Sequence, residues 1–293
     1  MANIVLTGAT GYIGNALCSK LLEQGHFLWV LTRGKTQTKN GINYVHYDGL
    51  SIPNPFPALD KCNSIIHLAG LSVSTGFRWN KAIRKELVES RTEPLNAIFT
   101  YCKANKLSPK LISAGGVSHY TDGPNGDFTE QSPTDTAQNF LAHVCREWEK
   151  SALQFKELGS IVSIVRTSVV LEKGNAVFQS LNPLTKIPLL AMPYKGKVGF
   201  PWISLPDLIN IYILLLSTEE SIICNAVAPT QDTLADILSK IKGRKKQLLP
   251  LPPFVMQWIF GAKSTLFLQG SSLHSEFLNS QQFEFQVNEF SEL

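Results

Sequence analysis

The sequence predicts an α/β fold, a Rossmann-type doubly wound parallel sheet with a smaller C-terminal substrate lobe. Three observations predict it. Short apolar runs alternate with long helical patterns over the first 170 or so residues, the signature of βαβ units. A turn with regularly spaced glycines joins the first apolar run to the first helix. Beyond about residue 170 the rhythm breaks, and Pro183, Pro188, Pro193, Gly196, Gly199 and Pro201 crowd together.

The elements follow in order. Ile4–Leu6 is a first strand, and Ile13, Ala16, Leu17 and Leu21 then recur at helical spacing. Phe27–Leu31, Ile42–Tyr47, Ser64–Leu68, Lys110–Ser113 and Ile161–Arg166 are five further strands. Helical patterns fill about Asn80–Ala104 and about Ala137–Leu158. Shorter apolar helices are expected at Asp207–Leu216 and Asp232–Ile241, and Pro250 to Pro253 marks a loop. The division is residues 1–168 as a nucleotide-type lobe, with part of 203–228 returning to it, and 169–293 as the smaller lobe.

The chain has 293 residues, 27 Lys+Arg against 23 Asp+Glu, and 44% hydrophobic residues. That is a globular composition with enough chain to bury a large core. Five scattered cysteines (Cys18, Cys62, Cys102, Cys145, Cys224) form no CxxC pair, and the histidines show no ligand spacing. No disulfide framework and no metal site is expected, and a reducing, cytoplasmic setting fits best. The first residues lack the basic and apolar blocks of a signal peptide, and Leu208–Leu216 is too short to span a bilayer. No membrane partner is expected. Lys240, Lys242, Arg244, Lys245 and Lys246 cluster without interleaved aromatics, which reads as a solvated helix end rather than a nucleic-acid surface.

Thr7-Gly8-Ala9-Thr10-Gly11-Tyr12-Ile13-Gly14 carries the functional signal. Gly8 permits the tight turn, Gly11 lets the backbone approach a pyrophosphate, and Gly14 lets the helix pack on the sheet. The phosphates would then meet free N–H groups at a helix N-terminus. After the second strand stands Leu31-Thr32-Arg33-Gly34-Lys35. A site for NAD usually places an acid there for the ribose 2′-OH, whereas Arg33 suits a 2′-phosphate, so NADP(H) is the expected cofactor.

Gly8-x-x-Gly11-x-x-Gly14 with His67-Leu68-Ala69-Gly70 resembles the extended short-chain dehydrogenases/reductases. The match is closer to an atypical branch, the nucleoside-diphosphate-sugar epimerase-like proteins with a conserved C-terminal region of unknown function. Arg78-Trp79, Ser90-Arg91, Phe140-Leu141-Ala142 through Trp148-Glu149, Arg166 to Leu171, Trp202-Ile203 and Asn225 to Pro229 carry it across almost the whole chain. The resemblance implies that Gly8, Thr10, Gly11, Tyr12, Ile13, Gly14, Arg33, Leu68, Ala69, Gly70, Arg91 and Ser113 bind the cofactor. It also implies that Asp48 meets the adenine, and that Arg78, Trp79 and Trp202 line the substrate pocket. Two readings of Arg78-Trp79 stay open, an anion holder or a structural pair capping the next helix. Arg91 points at the site or is a helix-face charge.

The superfamily's usual Ser, Tyr and Lys are missing. Aligned on Trp148-Glu149, the tyrosine position holds Leu141, the lysine position Cys145 and the serine position Gly115. The chemistry needs a tyrosine whose pKa is lowered by a lysine one helical turn away, and Leu141 exchanges no proton. Tyr120 matches a tyrosine of the branch and is the catalytic candidate, with the alternative that it walls the pocket. Gly174-Asn175-Ala176, Ser204 and Pro206 depart from the branch, which implies a different substrate. Two functions follow: an NADP(H)-dependent epimerase or oxidoreductase with a rewired site acting on a small molecule, or a silent NADP(H) sensor. The two long helices suit a homodimer bundle, as in many relatives.

Overall fold

The computed structural model describes residues 1–120, 126–134, 138–172, 190–192, 197–242, 248–250, 252–265 and 270–293. Eight of the described strands form the main sheet: β1 (Asn3–Thr7), β2 (Phe27–Thr32), β3 (Gln37–Lys39), β4 (Ile42–His46), β5 (Ser64–His67), β6 (Lys110–Gly116), β7 (Val162–Thr167) and β8 (Ile223–Ala226). Their order across the sheet is β8-β7-β6-β5-β1-β2-β4-β3. Every pairing is parallel except β3 with β4. Ile4, Val5, Leu6, Ile65, Ile66, Leu111 and Ile112 are all fully buried. Apolar side chains on both faces of a strand are the mark of a sheet covered on both sides.

The covers are helices. On one face α1 (Tyr12–Glu23) and α4 (Leu205–Ser217) seat Leu17, Leu21, Leu208 and Ile211 on Ile4, Leu6 and Ile112. On the other, α2 (Lys81–Ala104) and α3 (Phe140–Leu153) seat Leu95, Ile98, Cys102, Trp148 and Ala152 on Val5, Ile65 and Leu111. Asn80 caps α2 by accepting from Ile83 N, and Asn139 caps α3 by accepting from Ala142 N. The Asn139 cap starts α3 at Phe140, later than the helical spacing suggested, and Gln154–Leu158 continues it as a 3₁₀ turn.

The chain runs from β1 outward to β2 and β4, then crosses back to β5 and continues to β8. The strand order therefore reverses between β1 and β5. Ligands of such sheets bind beyond the carboxyl ends of the strands at that point. The β2-to-β4 connection contains no helix. It contains the β3–β4 hairpin, whose turn residues Asn40 and Gly41 both have positive φ, 51° and 77°.

The second half interleaves with the first. Val169–Leu171 pairs in parallel with Trp202–Ser204, and α4 and β8 then rejoin the main sheet. Leu234–Lys242 (α5) packs against Trp202, Leu171 and Phe290. The last segment returns as well. Leu278 enters the main core, and Gln286 N and Val287 N donate to the buried Asp207 carboxylate at 2.6 and 3.2 Å. Among the described residues no helix is long and apolar enough to cross a membrane. Gly174-Asn175-Ala176 and the side chains of Lys242, Arg244, Lys245 and Lys246 lie outside the described residues.

Candidate functional site

A cleft of about 670 Å³ opens at the β1/β5 switch point. Its floor is the glycine turn, Thr7, Gly8, Thr10 and Gly11, and its other wall is Leu68 to Ser72 after β5. Gly8 has φ +70°, and a Cβ on it would lie 2.5 Å from the Leu68 carbonyl carbon and 2.6 Å from Ala69 N. Only glycine allows the two strand ends to approach this closely. A Cβ on Gly14 would stand 2.4 Å from Ala9 Cα, so the third glycine lets α1 pack against the turn. Gly11 N donates to Gly8 O at 3.0 Å and closes the turn. A Cβ on Gly11 would meet only Gly8 O, at 3.2 Å, so this residue faces open cleft.

One end of the cleft lies beside the carboxyl ends of β2 and β4. Leu31 and Thr32 at the end of β2 and Arg33 just after it line this end, with Tyr47, Asp48 and Gly49 after β4. Arg33 is exposed and is the one basic side chain among the described lining residues. Asp48 accepts from Leu50 N at 2.8 Å and from Ser51 N at 3.1 Å. These two backbone donors hold its carboxyl below the usual range. On α2, Glu86, Glu89, Ser90 and Glu93 turn one face to the cleft at helical spacing.

His67 and Arg91 hold the β5 end from behind. Fully buried, His67 donates through Nε2 to the Arg91 carbonyl at 3.0 Å, so its Nδ1 accepts from the Thr7 hydroxyl at 2.7 Å. Burial lowers its pKa to about 3, and the ring is neutral. Arg91 is also buried, at 8% exposure. Its guanidinium donates to Leu87 O (2.7 Å) and Leu71 O (2.9 Å) and lies over the Trp148 ring. It therefore reaches the cleft only through the backbone it braces, and neither it nor Ser113 is among the lining residues. Ser113 is fully buried on β6, its hydroxyl turned to Ala114 O. Ile13 packs on the core, and the Tyr12 hydroxyl donates to Glu172.

The expected substrate side differs from the sequence expectation in four places. Trp202 is fully buried, with Nε1 donating to Asp232 at 2.9 Å inside the second-lobe core. Trp79 is buried among Leu87, Leu141 and Val144 and donates to Val73 O. Arg78 donates to Trp258 O and Ile259 O, the last carbonyls of α6 (Pro253–Phe260), which makes it a helix C-terminal cap. Tyr120 has 1% exposure. Its hydroxyl donates to Asn225 Oδ1 and accepts from Arg166 Nη1, both at 2.6 Å. Burial raises its pKa, against a lesser opposing pull from Arg166. Tyr120 is thus a structural pin, with its hydroxyl engaged inside the protein, and it is not among the residues that line the cleft.

Arg166 in turn forks onto Glu149 at 2.8 and 3.0 Å. His119 Nε2 lies 3.4 Å from the same carboxylate, and burial lowers its pKa to about 3. This buried polar network sits directly beneath the place of the usual serine. A Cβ on Gly115 would lie 3.5 Å from Glu149 Oε1. Leu141 and Cys145 at the tyrosine and lysine positions are 5% and 6% exposed, and burial raises the Cys145 thiol to about 12. A Cβ on Gly116 would touch its sulfur at 3.0 Å. Apolar and thiol groups have filled the proton-relay positions. Sequence reasoning missed Tyr47 and the Glu86/Glu89/Glu93 face, though the i, i+3, i+7 spacing of the three acids was there to read.

Comparison with known proteins agrees with this geometry. The Epimerase family protein SDR39U1 homolog, chloroplastic, of Arabidopsis thaliana is 29% identical over 279 residues, covering 92% of this chain and 79% of that protein. The Epimerase family protein YfhF of Bacillus subtilis is 27% identical, covering 92% and 88%. The crystal structure of human epimerase family protein SDR39U1 with NADPH superposes with a TM-score of 0.79 at 25% identity, covering 98% of this chain and 96% of that one. The family model for NAD dependent epimerases and dehydratases matches residues 4–223, from β1 into β8. With its glycine cradle at the switch point, the chain belongs to the NAD dependent epimerase/dehydratase family.

Proposed function

We propose that the cleft binds NADP(H), and that the chain is an epimerase- or oxidoreductase-like member of its family working without the Ser, Tyr and Lys set. The observation that carries this is Arg33 as the single basic residue among the described residues lining a cleft floored by the glycine turn. A 2′-phosphate supplies the dianion that a guanidinium at this position would bind. The fit of the cradle supports it further, since Gly8 and Gly14 are required by packing while Gly11 leaves room for a ligand. The human relative crystallised with NADPH points the same way.

When bound, the nicotinamide supplies hydride chemistry. The chain's own residues bind and orient it. Thr10 and Gly11 offer the turn to the pyrophosphate, Asp48 accepts from the adenine, and Leu68 to Gly70 flank the dinucleotide. No side chain at the Leu141, Cys145 or Gly115 positions moves a proton, and the Tyr120 hydroxyl is fully engaged. The proton of a small carbonyl substrate then comes from water or from the substrate. That same inventory favours a second reading, an NADP(H) sensor without turnover. Incubation with C4-deuterated NADPH and a panel of small carbonyl compounds separates the two. Stereospecific transfer of label to one of them establishes the enzyme. Silence across the panel, with NADPH still bound, establishes the sensor. Failure to bind NADPH removes both.

A further inference from the structure

The geometry points to His46 as a positioning residue for the 2′-phosphate site, acting through the Gly34 carbonyl. This role rests on the NADP(H) reading above. Arg33 sits at the start of a four-residue loop, 33–36, between β2 and the β3–β4 hairpin. Such a loop would ordinarily run into a crossover helix, whose own hydrogen bonds would fix it. Here no helix follows, and three other bonds fix it instead. Gly34 N donates to Thr32 Oγ1 at 3.1 Å. His46 Nδ1 lies 3.0 Å from Gly34 O, and because a carbonyl only accepts, the ring must carry its proton on Nδ1. His46 N donates to Thr36 Oγ1 at 3.0 Å.

His46 therefore grips the loop twice, by ring and by backbone, from the neighbouring parallel strand. The ring bond falls on the residue directly after Arg33. Losing it frees the Arg33 backbone on its C-terminal side while leaving the glycine turn and Asp48 in place. The consequence is selective. NADPH, which needs Arg33 at a fixed position, should lose affinity, whereas NADH, which lacks the 2′-phosphate, should not. One hydrogen bond of this kind corresponds to about a fivefold to tenfold change in Kd.

The amides of Asn and Gln separate the two ring nitrogens. Asn places its NH₂ where the histidine has Nδ1, and Gln places it near Nε2. The experiment is titration of the full chain and its His46→Ala, His46→Asn and His46→Gln variants with NADPH and with NADH, followed by nicotinamide fluorescence. Thermal melts of each variant accompany the titrations. The expected result is a fivefold to tenfold weaker NADPH Kd for His46→Ala and His46→Gln, an unchanged NADH Kd, and recovery to within about twofold for His46→Asn. Unchanged NADPH binding by His46→Ala overturns the proposal. So does an equal loss of both cofactors. Rescue by Gln instead of Asn also overturns it, because that would mean Nε2 contacts the phosphate itself. Arg33→Ala, run in parallel, keeps the failures apart: if it binds NADPH like the parent, the cofactor reading itself has failed.

Discussion

Replacing Gly8 by Ala tests the cradle most sharply, because two penalties fall on one atom. At φ +70° an L-residue pays roughly 1–2 kcal/mol for the left-handed region. The new Cβ would also stand 2.5 Å from the Leu68 carbonyl carbon and 2.6 Å from both Ala69 N and Leu68 O. These are backbone atoms at the end of a central strand, so relief requires the strand ends to separate. Overpacking of that kind adds about 1–3 kcal/mol. The total is about 2–5 kcal/mol, a fall in melting temperature of about 3–8 °C for a chain of 293 residues. Gly11→Ala is the internal control. Its Cβ meets only Gly8 O at 3.2 Å, so stability should change by less than about 1 kcal/mol, yet the methyl stands in the cleft. Differential scanning fluorimetry with and without NADPH reads both effects. Gly8→Ala should melt early and Gly11→Ala normally, and both should lose the NADPH-induced stabilisation. An unshifted melt for Gly8→Ala would refute the close approach of β1 and β5. A full NADPH response from Gly11→Ala would show that no ligand lies against the turn.

Three further outcomes are expected. Tyr120→Phe leaves Asn225 Oδ1 and Arg166 Nη1 short of a buried partner; it should lower stability by about 1–3 kcal/mol in urea unfolding while NADPH binding stays as it is. His67 and His119, both lowered to about 3 by burial, stay neutral in the folded chain but protonate near 6.5 once unfolded. The unfolded state binds more protons between those values, so this contribution is complete above about pH 6.5 and is lost as pH falls toward 3. Each histidine accounts for up to about 1.4 kcal/mol per pH unit, and His119→Asn should remove one proton from the slope measured by unfolding at several pH values. Cys145, raised to about 12, should resist iodoacetamide at mild alkaline pH in the folded chain and react on unfolding, as read by mass spectrometry of the labelled peptide.

The doubly wound sheet was legible because fully buried strands read as short apolar runs and the covering helices keep their spacing. The glycine turn was legible for a stronger reason, since each of its glycines answers a separate steric demand. Arg33 could be read from its place after β2. The hairpin that replaces the β2–β4 crossover helix was not anticipated, although Asn40-Gly41 is a strong hairpin signal; three residues of strand are too few to show a period. The errors at the site share one cause. Trp79, Trp202, Arg78, Arg91 and Tyr120 are residue types that recognise ligands, but their polar atoms find partners within the protein. A sequence shows that an arginine or a tryptophan is present; only the fold shows whether its donors are already engaged. The loss of the proton relay was legible as Leu141 and Cys145. That the vacated layer is rebuilt as the buried Glu149–Arg166–Tyr120 network was not, because its members lie on α3, β7 and the segment after β6.

If Arg33 and the glycine cradle make this an NADP(H) site, NADPH and NADH must differ in affinity. The most direct test is titration of the purified chain with NADPH and, separately, with NADH, following nicotinamide fluorescence. Tight NADPH binding, much weaker NADH binding, and loss of the difference in Arg33→Ala are expected. Equal affinity for the two cofactors, or binding of neither, would contradict the NADP(H) assignment.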